Sequence, residues 1–435
     1  MIKQIIFIIT LALTFIVFFY TAVRVYRLFR LTQPAFKVRN FGKRIMVMLD
    51  VAFFQTKIFR HPVIGFLHAL VFWGFCVIVV GSIEMVIDGI AGTERILAYF
   101  GIIYDILTAS GDIFAAIIAL AVLVFLFRRI FMHVKRFEGI EMKRKSHLDA
   151  NIALTIIFLL MITLLGMNTF YLTMTTGDYE GTYPVSKYIA SIIGTGEEDH
   201  LLYYIFWWSH IVLIFIFANI LPYSKHFHVF MSVPNVFLSR LEPLGKLTTM
   251  ENITKEVKLM MDPNAAFAAP PEGEQTVARF GVKDAEDASW KNYFDSLACT
   301  QCGRCTSVCP ANLTGKLLSP RKVMMDLRAR MKERGPCLLK NKDIEDGKAL
   351  IRDYTTTEEI WACTTCNACA QECPINIDHP KLIIDLRRYL VMEEAAGPAE
   401  LNSVFSNIEN NGAPWQFNMQ DRMLWAENLE MNQVN

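Results

Sequence analysis

The 435-residue chain lacks a surplus of charge: 43 Lys and Arg face 42 Asp and Glu, a formal net charge of +1. Without a basic field it carries no electrostatic footprint for nucleic acid, and that class of partner is excluded. The apolar N-terminal stretch reads as a retained span rather than a cleavable leader, because it is long, has no small-residue cleavage site and runs into Arg24, Arg27 and Arg30. There is no inverted repeat or broken apolar helix of the kind an ion-coupled transporter uses. No flavin or substrate site is recognisable. Cysteine is scarce outside two motifs, which leave only Cys76 and Cys337 unassigned. Cys76, in an apolar stretch, reads as a small buried hydrophobe.

The other eight cysteines form two copies of C-x2-C-x2-C-x3-C-P: Cys299, Cys302, Cys305 and Cys309 with Pro310, then Cys363, Cys366, Cys369 and Cys373 with Pro374. This is the spacing of two 4Fe-4S clusters, in which three thiolates come from one loop and the fourth ligates the other cluster. The expected sets are therefore Cys299, Cys302, Cys305 and Cys373 for one cluster, and Cys363, Cys366, Cys369 and Cys309 for the second. Tetrahedral zinc is the chemical competitor, but it needs four ligands and leaves the remaining cysteines and the prolines unexplained. Cluster thiolates must stay reduced, which argues for a cytosolic setting and against a disulfide framework.

Apolar residues are divided as sharply. Five stretches reach the roughly 20 residues needed to cross a bilayer: 5–23, 62–87, 106–127, 150–171 and 201–221. Residues 24–61 carry nine Lys/Arg and residues 128–148 carry seven, while the opposite loops contribute only Arg95 and Lys187. The positive-inside rule then predicts an N-terminus outside and a cytosolic C-terminal half, the compartment the cysteines require. Residues 45–59 read as a surface helix on the membrane or a continuation of the next span. Asp262 to Glu274 reads as an irregular linker. After each cysteine motif comes a Pro-initiated amphipathic helix, at Ser319-Pro320 and at His379-Pro380, and the charged segment Leu338 to Glu359 between them is expected to be helical.

Histidines inside a span are functional candidates by default. His68 falls in the second span and His210 in the fifth, with His61 and His228 near the inner ends of the same two. Histidine ligates haem iron, and four histidines on two helices can hold two stacked haems b. At about 1.5 Å per residue, His68 lies about 10 Å deeper than His61, and His228 lies about 27 Å along from His210. That arithmetic pairs His68 with His210 and His61 with His228. A single haem, with His61 and His228 as interfacial residues, stays open. His133, His147, His200 and His226 read as surface residues. Glu84 and Asp112 are carboxylates at the outer level, weak candidates for quinone proton exchange beside a reading as helix-end polar groups.

The five-span part resembles the γ subunit of respiratory nitrate reductase. The run Leu221-Pro222-Tyr223-Ser224-Lys225 leading to His228 is similar to that subunit's last helix, a resemblance that implies His228 rather than His226 as ligand. Residues 296–394 resemble the iron-sulfur part of heterodisulfide reductase-like membrane proteins. Over the whole chain, Trp361-Ala362-Cys363-Thr364-Thr365-Cys366, Arg387-Arg388-Tyr389-Leu390-Val391-Met392 and Asn410-Asn411-Gly412-Ala413-Pro414-Trp415 resemble segments of the membrane iron-sulfur oxidoreductases that pass electrons from electron-transfer flavoprotein to menaquinone. Those proteins continue into cysteine-rich CCG modules. No adjacent cysteine pair occurs here, so the resemblance implies that a soluble subunit supplies the module.

The expected fold is mainly α: a five-helix transmembrane bundle followed by a cytosolic helical ferredoxin-like domain with two 4Fe-4S clusters. The expected divisions are a haem b domain over 1–228, a linker over 229–290, a two-cluster domain over 291–395 and a partner-docking tail over 396–435. The expected function is electron transfer in a bacterial cytoplasmic membrane between a flavoprotein and menaquinone, through the clusters and haem b. The alternatives are a heterodisulfide reductase-like or sulfur-metabolism subunit oxidising menaquinol, and, from another class, a membrane redox sensor.

Overall fold

A computed structural model describes residues 2–175, 179–262, 279–340, 346–427 and 429. Five of its helices are long and apolar enough to cross a membrane. These are α1 (Ile2–Phe29), then after a short α2 (Phe41–Met48) come α3 (Pro62–Ala91), α4 (Ile102–Ile130) and α5 (Arg144–Met174), and after a short α6 (Pro184–Ile193) comes α7 (Asp199–Ile220). Helix α5 is the centre of the bundle, packed between α4 and α7. Small residues let the helices approach where lipid offers no hydrophobic drive to hold them together. A Cβ on Gly74 would lie 2.8 Å from Phe114 and Ile118 of α4, and one on Gly166 would lie 2.6 Å from the Phe206 ring. On the other flank Phe7 of α1 fills a pocket among Trp207, Trp208 and Phe215.

Beyond α7 the chain does not run on. It turns at Pro222 through two short 3-10 segments, and α8 (His228–Phe237) folds back onto α2 and the wide turn Leu49–Phe53. A polar helix α9 (Glu251–Met261) follows, and the proposed linker stretch beyond Asp262 lies largely outside the described residues. The expected surface helix over 45–59 is realised as α2 and the wide helical turn Leu49–Phe53 that continues it. From Leu49 the backbone widens, and Gln55 takes a left-handed φ of 54° that ends helical hydrogen bonding.

The cysteine-rich half is built of α10 (Trp290–Ala298), α11 (Arg304–Ser307), α12 (Pro310–Leu313), α13 (Pro320–Leu338), α14 (Thr357–Trp361), α15 (Ala368–Glu372) and α16 (His379–Met392). A helix α17 (Asn402–Asn411) follows. The two Pro-initiated helices form as expected: Ser319 accepts from Lys322 N at the start of α13, and Asp378 accepts from Lys381 N at the start of α16. Their apolar faces meet in one core containing Met324, Leu327, Met331, Leu382, Ile383 and Leu386. The segment between them departs from the expected helix. Within its described residues Ile351 is extended and Arg352 has φ 76°, because Arg352 N donates to Thr355 O in a tight loop, and helix resumes only at Thr357. No strand is formed among the described residues, only isolated bridges at Gln33 with Ser289 and Ile351 with Thr355.

This half docks on one end of the bundle, the end formed by the two Lys/Arg-rich loops and α8. Leu28 of α1 enters its core. Gln33 exchanges backbone hydrogen bonds with Ala288 and Trp290, and Asn235 Nδ2 donates to Ile375 O at 2.9 Å. The strongest tie is Arg321, 1 % exposed, which meets Glu141 at 2.7 Å and also donates to the carbonyls of Arg136 and Glu138. Removing one partner of such a buried pair strands the other charge, at a cost of about 3–5 kcal/mol. Arg321→Met is therefore expected to loosen the dock. In detergent-purified protein, trypsin should cut within 128–148 faster than in wild type, and unchanged cleavage would contradict this role.

Candidate functional site

Each cysteine motif folds as the same loop. Helix α10 ends at Cys299, Gln301 and Gly303 take left-handed backbone (φ 59° and 77°), and α11 carries Cys305. In the second copy Thr365 and Asn367 take the equivalent conformations (φ 55° and 62°), and α15 carries Cys369. Glycine is required at 303, where a Cβ would sit 2.2 Å from the Arg136 carbonyl oxygen. At the open position 367 asparagine tolerates the same backbone. These turns let three thiols of each copy face one centre.

The fourth thiols cross over. Cys309 lines one cleft with Cys363, Cys366 and Cys369, walled by Pro310, Leu318, Pro320, Thr364, Pro380 and Ile383. Cys373 lies instead within electrostatic reach of Cys299, Cys302 and Cys305. Burial, then these neighbouring sulfurs, holds the Cys305 thiol well above its ordinary range, and the same causes push Cys373 up to about 12. Four thiolates so crowded and buried repel one another unless a multivalent cation neutralises them. Among the described residues no three His, Cys, Asp or Glu converge tightly enough for a single ion. The donor set fits a larger iron-sulfur group.

The histidines divide by their hydrogen bonds. His68 Nδ1 meets Gln55 Oε1 at 3.2 Å and His228 Nδ1 meets the Lys225 carbonyl at 3.2 Å. Both partners are acceptors, so Nδ1 carries the proton and Nε2 keeps a free lone pair. His210 Nδ1 meets Thr163 Oγ1 at 2.9 Å. That hydroxyl spends its only hydrogen on Leu160 O, so His210 Nδ1 donates as well. Orienting a ring through Nδ1 while Nε2 points free is how proteins prepare a metal-ligating imidazole. Burial further lowers the pKa of His228, which keeps that ring neutral.

His61 is placed differently. It caps α3 rather than lying within it, its side chain is 50 % exposed, and its Nε2 faces Glu372 at 3.6 Å. The fold-back of α8 instead carries His228 into electrostatic reach of His68, a proximity that helix-rise arithmetic misses because the chain reverses after Leu221. His226, expected at the surface, is half-buried with its ring 5.8 Å from that of His228. The orienting residues Gln55 and Thr163 carried no sequence signal, since a lone Gln or Thr near a span is ordinary.

At the far end of the bundle Asp112 is committed to structure. It accepts from Val185 N at 2.7 Å, Ser186 N at 2.9 Å and the Ser186 hydroxyl, capping α6. Glu84 is buried and accepts from Leu97 N at 3.0 Å and Tyr104 Oη at 3.3 Å. Beside it Arg95 lies over the Tyr171 and Tyr183 rings at 4.3 and 4.9 Å.

Comparison with known proteins agrees with this geometry. A 4Fe-4S dicluster domain family model matches residues 291–374. The chain is 29% identical to the "Probable iron-sulfur-binding oxidoreductase FadF" of Bacillus subtilis over 89% of its own length and 56% of that protein. It is 27% identical to the "EtfAB:quinone oxidoreductase" of Syntrophomonas wolfei over 89% of its length and 54% of that protein. A shorter stretch, 23% of its length, is 35% identical to 48% of one component of the Methanosarcina acetivorans "Ferredoxin/F(420)H(2)-dependent CoB-CoM heterodisulfide reductase". The chain thus spans about half the length of these curated relatives, and they are of the types the sequence resemblance named. No solved structure matches.

If the fourth cysteines cross over, Cys309→Ser and Cys373→Ser should each cost one cluster, and not the cluster of their own motif. Anaerobically purified wild type should hold about eight irons and as many sulfides. Low-temperature paramagnetic resonance of Cys309→Ser should lose the same signal as Cys363→Ser. A spectrum matching Cys299→Ser would contradict the crossing.

Proposed function

We propose that the chain is a membrane electron-transfer subunit of a quinone oxidoreductase. Cys299, Cys302, Cys305 and Cys373 hold one 4Fe-4S cluster, and Cys363, Cys366, Cys369 and Cys309 hold the other. His68 and His228 are the axial pair of a haem b at the cluster-facing end of the bundle. His210, with its Nε2 likewise free, is the ligand candidate for a second haem deeper in, and His61 serves the docking surface. Once bound, these groups supply one-electron carriers. The basic-loop end lies in the bacterial cytosol and the N-terminus outside, over a haem domain of residues 1–228 and a cluster domain of 291–395.

The observation that carries this reading is the loop 55–61. Gln55 orients His68, and two residues later Lys57 Nζ donates to the carbonyl of Cys373 at 3.3 Å. Arg304, between Cys302 and Cys305, donates back to the carbonyls of Lys57 and Ile58 at 2.9 and 3.3 Å. One short loop therefore touches a cluster thiol's backbone and a prepared imidazole. A charged hydrophilic donor meets the exposed Cys366 side, and quinone meets the far end, where Glu84 with Tyr104 is the candidate for proton exchange. One relative's printed name, "EtfAB:quinone oxidoreductase", favours an electron-transfer flavoprotein as donor and a quinone as acceptor; in this reading the donor acts through a soluble CCG-module subunit and the quinone is menaquinone.

Replacing His68 or His228 with alanine should remove the same haem, seen as one lost component of the reduced-minus-oxidised optical spectrum, with cluster signals retained. His61→Ala should leave haem content unchanged. If His61→Ala lost the haem and His68→Ala kept it, the assigned pair would be wrong. With the clusters reduced by a flavoprotein, a menaquinone analogue should be reduced by wild type with its partner subunit, and at least tenfold more slowly by the His68 variant.

A further inference from the structure

The two cysteine sets differ in what surrounds them. Six cations from separate parts of the chain lie within electrostatic reach of Cys299, Cys302 and Cys373. Lys57 Nζ donates to the Cys373 carbonyl at 3.3 Å and Arg328 to the Cys299 carbonyl at 3.5 Å; Arg304 acts on Cys373 and Cys302, Arg136 on Cys302, and Arg321 and Lys225 on Cys299. Arg304, Arg321 and Lys225 are buried, and the Arg136 Nε is buried with no hydrogen-bond partner among the described residues. Four acids offset part of this charge: Glu141 on Arg321, Asp149 on the Lys225 backbone, Asp50 near Lys57, and Glu372 beside Arg60 and Arg304. With Arg60 counted, seven cations face these four acids, an excess of three. In the other set, among the described residues, Arg387 acts on Cys363 and donates to its carbonyl. The residues walling that set's cleft are otherwise uncharged.

Backbone donors do not add to this contrast: among the described residues the hydrogen bond found on a cysteine sulfur of either motif is Thr365 N to Cys363 Sγ at 3.4 Å, in the other set. Nearby positive charge and N–H donors both stabilise the extra electron of a reduced cluster and raise its potential. Burial opposes this, since the first set is the drier one. The same dryness strengthens each fixed cation there, whereas water at the exposed Cys366 screens Arg387.

Resting on the proposed function, we infer that Lys57, Arg136, Arg304, Arg321, Arg328 and Lys225 set the order of the two potentials. They make the cluster of Cys299, Cys302, Cys305 and Cys373 the more easily reduced, so electrons run from the exposed Cys366 side toward the bundle. The step is one electron. The carrier on the Cys309, Cys363, Cys366 and Cys369 set is oxidised by one and the carrier on the other set is reduced by one, with no bond made and no proton moved. A reduced flavin on the donor protein refills the first carrier.

The test is a potentiometric titration of the full chain followed by low-temperature paramagnetic resonance, with iron and sulfide counted on the same sample. Two separate midpoints are expected. Arg304→Gln, and the half-buried loop variant Lys57→Gln, should each shift the higher midpoint down and leave the lower one in place. Arg387→Gln should shift only the lower one down. If Lys57→Gln or Arg304→Gln moved the lower midpoint instead, or if both clusters reduced in a single step, the inference would be overturned while the two-cluster reading stood. Iron and sulfide for fewer than two clusters in wild type would overturn that reading itself.

Discussion

The contact on which everything else depends is the one between loop 55–61 and the crossed cysteine Cys373. In the proposed redox chain the carriers must be held close, and what ties this loop to the cysteine-rich half is a set of hydrogen bonds. Lys57 grips the Cys373 carbonyl, Arg304 grips the backbone of Lys57 and Ile58, and Gln55 two residues earlier fixes the His68 ring. The buried Arg321 and Glu141 pair holds the wider surface against which this small contact is made. Carbonyl oxygens accept from Lys57, Arg304 and Arg321 across the dock and Glu141 pairs with Arg321, which offsets part of the cost of burying these cations.

The division of labour follows from the materials. Thiolates crowded in a polar loop domain suit iron-sulfur groups, and neutral imidazoles in an apolar bundle suit haem. In the proposed function proton chemistry belongs at the ends, and the far end of the bundle is where buried carboxylate, phenol and guanidinium groups gather around Glu84, Tyr104 and Arg95. Asp112 does not join them, since its oxygens are spent on capping α6.

What the sequence made legible was local. Cluster spacing, apolar length and proline-started helices each depend on residues close in the chain, and the dicluster match, the five long apolar helices and the starts of α13 and α16 agree with them. What it hid was reversal and context. The turn at Pro222 sends α8 backwards, so His228 reaches His68 although linear rise places them far apart. His61 looked equivalent to His68, yet it caps α3 and faces Glu372. The charged stretch after Leu338 carried helix-forming composition but closes a tight loop at Arg352 instead. Gln55, Thr163 and the Lys225 carbonyl, which decide the tautomers, are too common as residue types to stand out.

The central claim is that electrons pass from the clusters through the dock to a haem on His68 and His228. Anaerobic rapid mixing of the membrane-embedded protein with a charged, membrane-impermeant reductant, recorded at the cluster and haem absorption bands together, tests it most directly. Cluster bleaching should come first and haem reduction should follow with a lag that lengthens when Lys57 is replaced by alanine. Haem reduction without a lag, at the same rate in wild type and in that variant, would contradict it.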